Sequence, residues 1–163
     1  MNDVLIRRGE PADIEPVIAV WRAATTARGG GRPLPAANET RVRAYLRYPD
    51  ALLLVAEATG TVVGVTLGMQ GRADDGAGLP VPGLCHIGMV FVAPDHWGKG
   101  IGGQLVDAVL AEARARGYTR VQLWTHADNL RAQRLYEGRG FRRSGWEQND
   151  DLGDTIVHYE RAL

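Results

Sequence analysis

Glycines cluster at one point of the chain, between a predicted strand and a predicted helix. The run at 96–103 is His-Trp-Gly-Lys-Gly-Ile-Gly-Gly, and its last residues open an alanine-rich stretch with helical spacing at about 100–116. A helix N-terminus presents unpaired N–H groups and a partial positive charge. Glycines let an anion approach those groups closely and let the backbone take positive φ angles. The run therefore predicts a phosphate-binding loop.

Three known kinds of phosphate loop can be compared with this run. A Walker loop needs serine or threonine after its lysine, but Gly100 follows Lys99. Gly98, Gly100 and Gly103 satisfy the dinucleotide pattern G-x-G-x-x-G, yet the strand predicted at 121–125 ends without the acidic residue that would hold a ribose. The pyrophosphate loop of coenzyme A is the third option, beside a strand-to-helix turn that binds nothing.

A second motif follows at 129–141, Asn-Leu-Arg-Ala-Gln-Arg-Leu-Tyr-Glu-Gly-Arg-Gly-Phe. Asn129 stands where a strand ends and a helix begins, so it is either a helix N-cap or a cofactor contact. Tyr136 lies on an amphipathic helix. It is either a core residue with its hydroxyl at the rim or a proton donor to a departing anion.

Together the two motifs resemble those of the GNAT superfamily of N-acetyltransferases. Residues 97–102, Trp-Gly-Lys-Gly-Ile-Gly, are similar to the family motif Arg/Gln-x-x-Gly-x-Gly/Ala, with Trp97 where the family usually carries arginine or glutamine. Residues 129–141 match Asn-x-x-Ala-x-x-Leu-Tyr-x-x-x-Gly-Phe at every fixed position. The resemblance extends from Ile6 to Tyr159. Because the family binds phosphate largely through backbone amides, the tryptophan is expected to weaken one contact without removing the site.

The resemblance implies that acetyl-CoA is the cofactor. In the family, the strand before the glycine loop separates from its parallel neighbour, and the amides of pantetheine pair with it as an extra strand. Here the Val90 N–H would face the thioester oxygen, and Tyr136 would protonate the departing thiolate. The implied cofactor-binding residues are Val90, Phe91, Val92, Trp97, Gly98, Lys99, Gly100, Ile101, Gly102, Gly103, Asn129 and Tyr136.

Transfer to an amine also needs a proton acceptor, because an ammonium group has no lone pair. His86 lies where some relatives in the family carry a glutamate base, and a histidine pKa of about 6.5 suits the task. His86 is thus the predicted catalytic base, beside the alternative of a core histidine, and His126 is the second candidate. Cys85 and His86 are strand neighbours that point to opposite faces, so they form no dyad. His96 and His158 are predicted on the surface or in loops, and no spacing predicts a metal site.

The apolar pattern predicts a mixed α/β fold in the order βααβββαβαββ. The predicted strands are 4–8, 52–58, 62–69, 84–92, 121–125, 141–146 and 155–159, and the helices start near residue 10 and cover about 40–47, 100–116 and 129–139. Irregular loops are predicted at 28–35 and 71–83. The resemblance adds a mostly antiparallel sheet of about seven strands with a splayed parallel pair, flanked by about four helices, in a single domain over residues 1–163.

Charge and cysteine content limit the partners and the compartment. The 163 residues include 19 basic and 19 acidic side chains, a formal net charge of zero, which argues against nucleic acid or an anionic membrane as a partner. Cys85 is the single cysteine, so no intramolecular disulfide forms. No apolar run approaches the roughly 20 residues that span a bilayer, and no export signal is recognised. A cytoplasmic location is expected.

Two functions stay open at this level. One is an N-acetyltransferase that acts directly on a primary amine of a small molecule or a protein N-terminus, and the other is a non-catalytic acyl-CoA sensor or partner module. The loops at 29–35 and 71–83, with Trp21, Trp124 and Trp146, are expected to shape an acceptor pocket. The closing strands offer a surface through which a homodimer could pair.

Overall fold

Seven strands form one sheet in the computed structural model, which describes residues 3–163. The strands are β1 (Val4–Arg8), β2 (Leu52–Ala58), β3 (Thr61–Arg72), β4 (Pro80–Val92), β5 (Arg120–His126), β6 (Arg142–Asn149) and β7 (Thr155–Ala162). Their order across the sheet is β1-β2-β3-β4-β5-β7-β6. Over the described residues β4 and β5 pair in parallel, and the other neighbours pair antiparallel. The predicted mixed sheet with one parallel pair is confirmed.

Four α-helices flank the sheet: α1 (Ile14–Arg28), α2 (Ala36–Leu46), α3 (Ile101–Ala115) and α4 (Leu130–Glu137). A 3₁₀ turn at Pro11–Asp13 leads into α1. The predicted helices are all present, but α2 begins at Ala36, directly after Pro35, and so earlier than the predicted start near residue 40. No helix among residues 3–163 is both long and apolar enough to cross a bilayer.

The loop predicted at 71–83 is shorter than expected, because strand structure extends into it from both ends. β3 continues to Arg72 and β4 starts at Pro80, with these two residues paired in register. A Cβ on Gly71 would lie 2.5 Å from the Leu84 side chain, so glycine is what allows the two strands to approach there. Irregular structure is confined to 73–79, where Asp74 and Asp75 both take positive φ angles of 50° and 55°.

The sheet is packed between two helical layers. One face carries α1 and α2, with Trp21 and Leu46 buried against alternate strand residues such as Val65. The other face carries α3 and α4 over a second cluster that includes Val109 and Tyr136. α3 lies close to β3 at Gly68, where a Cβ would come within 3.2 Å of Val109 Cγ2. The absence of a side chain at Gly68 permits this close packing. This packing fixes the ends of β4 and β5 relative to the start of α3.

The junction between β1 and α1 is held by an ion pair. The Asp13 carboxylate accepts two hydrogen bonds from the Arg7 guanidinium, at 2.8 and 2.9 Å, and one from the Glu10 N–H at 2.7 Å. The Asp13 side chain is 9% exposed. The bonds from Arg7 lower the pKa of the Asp13 carboxyl below its ordinary value.

Candidate active site

The glycine run forms an exposed loop between β4 and α3. Gly98 and Gly100 take φ angles of +79° and +80°, a left-handed conformation that other residues rarely adopt. The first backbone N–H that bonds back along the helix is that of Gln104, which donates to the Gly100 carbonyl at 3.2 Å. The N–H groups of residues 101–103 precede it and have no intrahelical acceptor. The predicted anion cradle thus has the required backbone geometry.

Trp97 ties this loop to the end of β4. Its indole Nε1–H donates a hydrogen bond to the Val92 carbonyl at 2.7 Å, while the residue remains 42% exposed. The side chain that stands in place of the family's arginine or glutamine therefore contacts the strand rather than the open side of the loop.

Arg131 on α4 brings a positive charge to the loop instead. Its guanidinium Nη2 lies 3.4 Å from the position that a Cβ on Gly98 would occupy. Among the ion pairs of the described residues none involves Arg131 or Lys99, whereas Arg139 is engaged with the Gly103 carbonyl and the Asp107 carboxylate. Arg131 occupies a variable position of the second motif, so the sequence pattern did not single it out.

The parallel pair separates where the second half of β4 begins. The last paired residues are Ile87 on β4 and Leu123 on β5, so the segment 88–92, with the half-buried Val90, has no partner on the β5 side. A Cβ on Gly102 would lie 3.4 Å from Leu135 and 4.0 Å from Val92. The glycine loop, the free end of β4 and α4 thus meet at one point.

Asn129 and Tyr136 stand at the two ends of α4. Asn129 is an N-cap, because its Oδ1 accepts the Ala132 N–H at 3.2 Å; its amide NH₂ is left for other contacts. Tyr136 is 7% exposed and packs its ring at 5.8 Å from Phe141 and 6.3 Å from Tyr159. Burial raises the pKa of the phenol well above its ordinary value. The hydroxyl is therefore protonated at neutral pH, as a proton donor must be.

His86 faces the opposite side of the sheet from Cys85. Its Nδ1 lies 3.4 Å from the Gln122 Nε2, and burial lowers its pKa to about 4. The pKa of His86 therefore lies below the expected value near 6.5, because the ring is largely removed from water. Burial also raises the pKa of the Cys85 thiol to about 11, which leaves it an inert core group.

His126, at the end of β5, is paired with a carboxylate. Its Nε2 lies 3.0 Å from the Asp150 Oδ2, and the Asp150 Oδ1 accepts the backbone N–H groups of Leu152 and Asp154 at 2.9 Å each. The Asp154 carboxylate is close enough for the three side chains to hold a metal ion, a grouping that the sequence spacing did not predict. Asp150 fixes the orientation of the imidazole.

His158 is buried, contrary to the prediction of a surface or loop position. It lies on β7, is 2% exposed, and bonds through its Nδ1 to the Ser144 hydroxyl at 2.7 Å and through its Nε2 to the Gln122 Oε1 at 3.0 Å. His96 lies in a short 3₁₀ turn, where its Nδ1 is buried without a partner among the described residues.

A cavity of about 460 Å³ opens on the face of the sheet that carries His86. Its lining includes His86 and Trp124, which flank the point where β4 and β5 separate. Two contacts close its sides: the Arg41–Asp151 ion pair, and the Gln148 amide that donates to Asp75 at 2.9 Å. The other lining residues are Tyr45, Tyr48, Asp50, Met69, Gln70, Arg72, Gly76, Gln122, Asn149, Asp150 and Ile156.

Of the three tryptophans predicted to shape this pocket, Trp124 alone lines it. Trp21 belongs to the core under α1 and is 5% exposed, and Trp146 projects from β6 and is 66% exposed. Trp21 lies on the buried face of α1, and a tryptophan on an outer strand such as Trp146 carries no signal in the sequence that separates pocket from surface.

Comparison with known proteins agrees with these features. The profile described as "Acetyltransferase (GNAT) family" matches residues 18–141. A mycothiol acetyltransferase of Thermobispora bispora is 35% identical over 96 residues, which are 59% of this chain and 32% of that protein. The chain thus spans about a third of that relative's length.

Two solved structures share the fold. The ribosomal-protein-alanine N-acetyltransferase of Brucella melitensis superposes with a TM-score of 0.77 at 24% identity, over 98% of this chain and 99% of that one. The PaiA N-acetyltransferase of Thermoplasma acidophilum, solved in complex with coenzyme A, gives a TM-score of 0.70 at 19% identity, over 99% of both chains.

Proposed function

The chain belongs to the GNAT family of acetyltransferases, and on that premise we propose that it transfers an acetyl group from acetyl-CoA directly to a primary amine. The observation that carries the proposal is the meeting of the glycine loop with the unpaired end of β4. The glycine loop can hold a diphosphate, and the unpaired end of β4 can align a peptide-like arm. The acceptor is the amine of a small molecule or a protein N-terminus, and residues 1–163 act as a single domain.

The residues present fit coenzyme A. The free N–H groups at the start of α3 hold the diphosphate, and Arg131 takes the place of the motif's missing basic side chain near Gly98. Segment 88–92 of β4 pairs with the pantetheine amides, which is supported by its lack of a partner on the β5 side. Because Asn129 caps α4 through Oδ1, its NH₂ can donate to the cofactor. A coenzyme A complex of the Thermoplasma protein with the same fold supports this assignment.

Two groups act on the reacting thioester, which acetyl-CoA supplies as the activated acyl group. The Val90 N–H donates to the thioester oxygen and stabilises charge that develops there. Tyr136 donates its phenolic proton to the departing sulfur, and its raised pKa keeps that proton in place until then.

The amine must lose a proton before it attacks, and His126 and His86 are the two candidate acceptors. Asp150 contacts its Nε2, so the imidazole is held in one orientation. His86, the other candidate, has a pKa lowered to about 4, which makes it a weak base at neutral pH. We assign His126 as the base, with the amine reaching it from the cavity that Asp150 lines.

Outer strand β6 supports a homodimer, since it has a neighbour on one side only among the described strands and exposes Trp146. The single cysteine, buried and without a disulfide, is consistent with the cytoplasmic location that we propose together with this function.

Calorimetry with acetyl-CoA, followed by a thiol-release assay over a panel of amines, tests the function. The expected result is acetyl-CoA binding and amine-dependent release of free thiol, with the N-acetylated product seen by mass spectrometry. Binding without thiol release would favour the acyl-CoA sensor, and failure to bind acetyl-CoA would remove both alternatives.

A further inference from the structure

A chain of hydrogen bonds crosses four strands and ends at the cavity. Ser144 on β6 contacts His158 on β7 at 2.7 Å, His158 contacts Gln122 on β5 at 3.0 Å, and Gln122 contacts His86 on β4 at 3.4 Å. Each of these three contacts involves a histidine nitrogen, which can either donate or accept. The protonated nitrogen of His86 therefore depends on the direction in which the whole chain donates.

The orientation of the Gln122 amide sets that direction, with its Oε1 toward His158 and its Nε2 toward His86. The Trp146 backbone N–H donates to the Ser144 Oγ at 3.2 Å, so the hydroxyl proton is free to point to the His158 Nδ1. His158 then carries its proton on Nε2 and donates to the Gln122 Oε1, and the Gln122 amide donates to the His86 Nδ1. In the reverse direction an unprotonated His158 Nε2 would face the Gln122 Oε1, and both atoms are acceptors. With the Gln122 amide in this orientation, every contact pairs a donor with an acceptor in the first arrangement alone.

This direction leaves the His86 proton on Nε2. That nitrogen is not among the polar atoms buried without a partner, so it reaches the solvent of the cavity that His86 lines. Burial outweighs the nearby Asp75 carboxylate and lowers the pKa of the ring to about 4, which keeps it neutral at physiological pH. Toward the cavity His86 thus presents an N–H group and not a lone pair.

We propose that His86 recognises the acceptor substrate by donating a hydrogen bond from Nε2 to an oxygen atom of it. Gln122, His158 and Ser144 are positioning residues that hold His86 in this tautomer. The substrate class is a small primary amine with a carbonyl or hydroxyl oxygen near the reacting nitrogen. This inference rests on the proposed function, but it gives His86 a role in specificity and leaves proton removal to His126.

The tautomer can be read in the free protein by NMR of ring-¹⁵N-labelled histidine. The chain contains four histidines, and the variant His86→Asn identifies the signals of His86. We expect the nitrogen shifts of a neutral ring protonated on Nε2 from pH 5.5 to pH 8. A ring protonated on Nδ1, or a midpoint close to the ordinary histidine value of about 6.5, would overturn the inference.

Gln122→Glu tests the chain itself. A carboxylate at 122 accepts from both histidines and donates to neither, so the proton of His86 should move to Nδ1 and expose a lone pair on Nε2. Gln104→Glu is the control, because it adds the same charge at an exposed position of α3. An unchanged His86 tautomer in Gln122→Glu would show that Gln122 does not position it.

Substrate recognition is tested with ethanolamine, glycinamide and n-propylamine, the last being an isostere of ethanolamine without the oxygen. The wild type should prefer the two oxygen-bearing amines. His86→Phe should raise their KM about 3- to 10-fold, the range of one neutral hydrogen bond, with little change in kcat and with n-propylamine unaffected. His86→Gln, which keeps a donor, should restore much of the preference.

Equal use of n-propylamine, or acetylation of none of the three, counts against this role of His86. If acetyl-CoA still binds and other amines are acetylated, the proposed function stands. The loss of acetyl-CoA binding would instead remove the proposed function, while the NMR result remains readable on the free protein.

Discussion

Replacing Tyr136 by phenylalanine should separate catalysis from folding. The ring packs against Phe141 and Tyr159, and phenylalanine preserves those contacts. Burial raises the pKa of the phenol, and no hydrogen bond from another of residues 3–163 contributes to that shift. Since removal of the hydroxyl leaves no protein group unsatisfied, the free energy of unfolding should change by less than about 1 kcal/mol.

Turnover should fall much further. Loss of a general acid lowers rates by roughly 10²–10⁴-fold, so kcat for amine acetylation should drop by at least about 100-fold while the Kd of acetyl-CoA stays within about twofold. The measurements are steady-state thiol release, isothermal calorimetry with acetyl-CoA and urea unfolding. Rapid-quench kinetics establish whether acetyl transfer or product release limits kcat.

Tyr159→Phe is the matched control on the neighbouring strand. The Tyr159 hydroxyl donates to the Glu137 Oε1 at 2.7 Å, so its removal takes a partner from a carboxylate and should destabilise the fold by roughly 1–3 kcal/mol. Its effect on kcat should be small. Wild-type kcat in Tyr136→Phe, with acetyl transfer shown to be rate-limiting, would refute Tyr136 as the acid.

Three further changes have defined outcomes. Arg131→Gln should raise the Kd of coenzyme A about fivefold, less at high salt and not for pantetheine, which lacks the phosphates, while the exposed Arg134→Gln should have no effect on calorimetric affinity. Asp150→Asn should lower kcat on the order of 100-fold without changing the Kd of acetyl-CoA, because His126 loses its orienting carboxylate; an unaltered kcat would remove the pair from the mechanism. Asp13→Asn should destabilise the protein by about 1–3 kcal/mol in urea at pH 7. The folded pKa of Asp13 is depressed, so this difference is present above the ordinary carboxyl pKa of about 4 and should shrink as the pH falls through the lower folded value. A difference that does not shrink as the pH is lowered would contradict it.

Local patterns sufficed to predict most of the helices and strands and to propose residues for the cofactor side. The glycine run and Asn129 are features of chain segments a few residues long, where spacing and helix-end chemistry fix the geometry. Val90 could be placed because it lies a fixed number of residues before the glycine loop. Its role in binding stays a prediction.

The acceptor side depends on contacts between distant segments. His126 meets Asp150 and Gln122 meets His158 only through the register of β5, β6 and β7. A shift of one residue in such a register turns every side chain to the other face, and short strand patterns do not determine it. For the same reason the sequence left open whether His86 is a base or a core histidine, and its lowered pKa follows only from the structure.

The separation of β4 and β5 gives the protein a strand edge inside its sheet. From residue 88 onward the β5 side of β4 offers main-chain donors and acceptors without partners, the same liability as an outer edge that invites another chain to pair. A cofactor that binds between β4 and β5 covers these main-chain groups. Bound coenzyme A should therefore slow amide hydrogen exchange along this segment and suppress aggregation, and at 100 times its Kd it should stabilise the fold by about 2.7 kcal/mol.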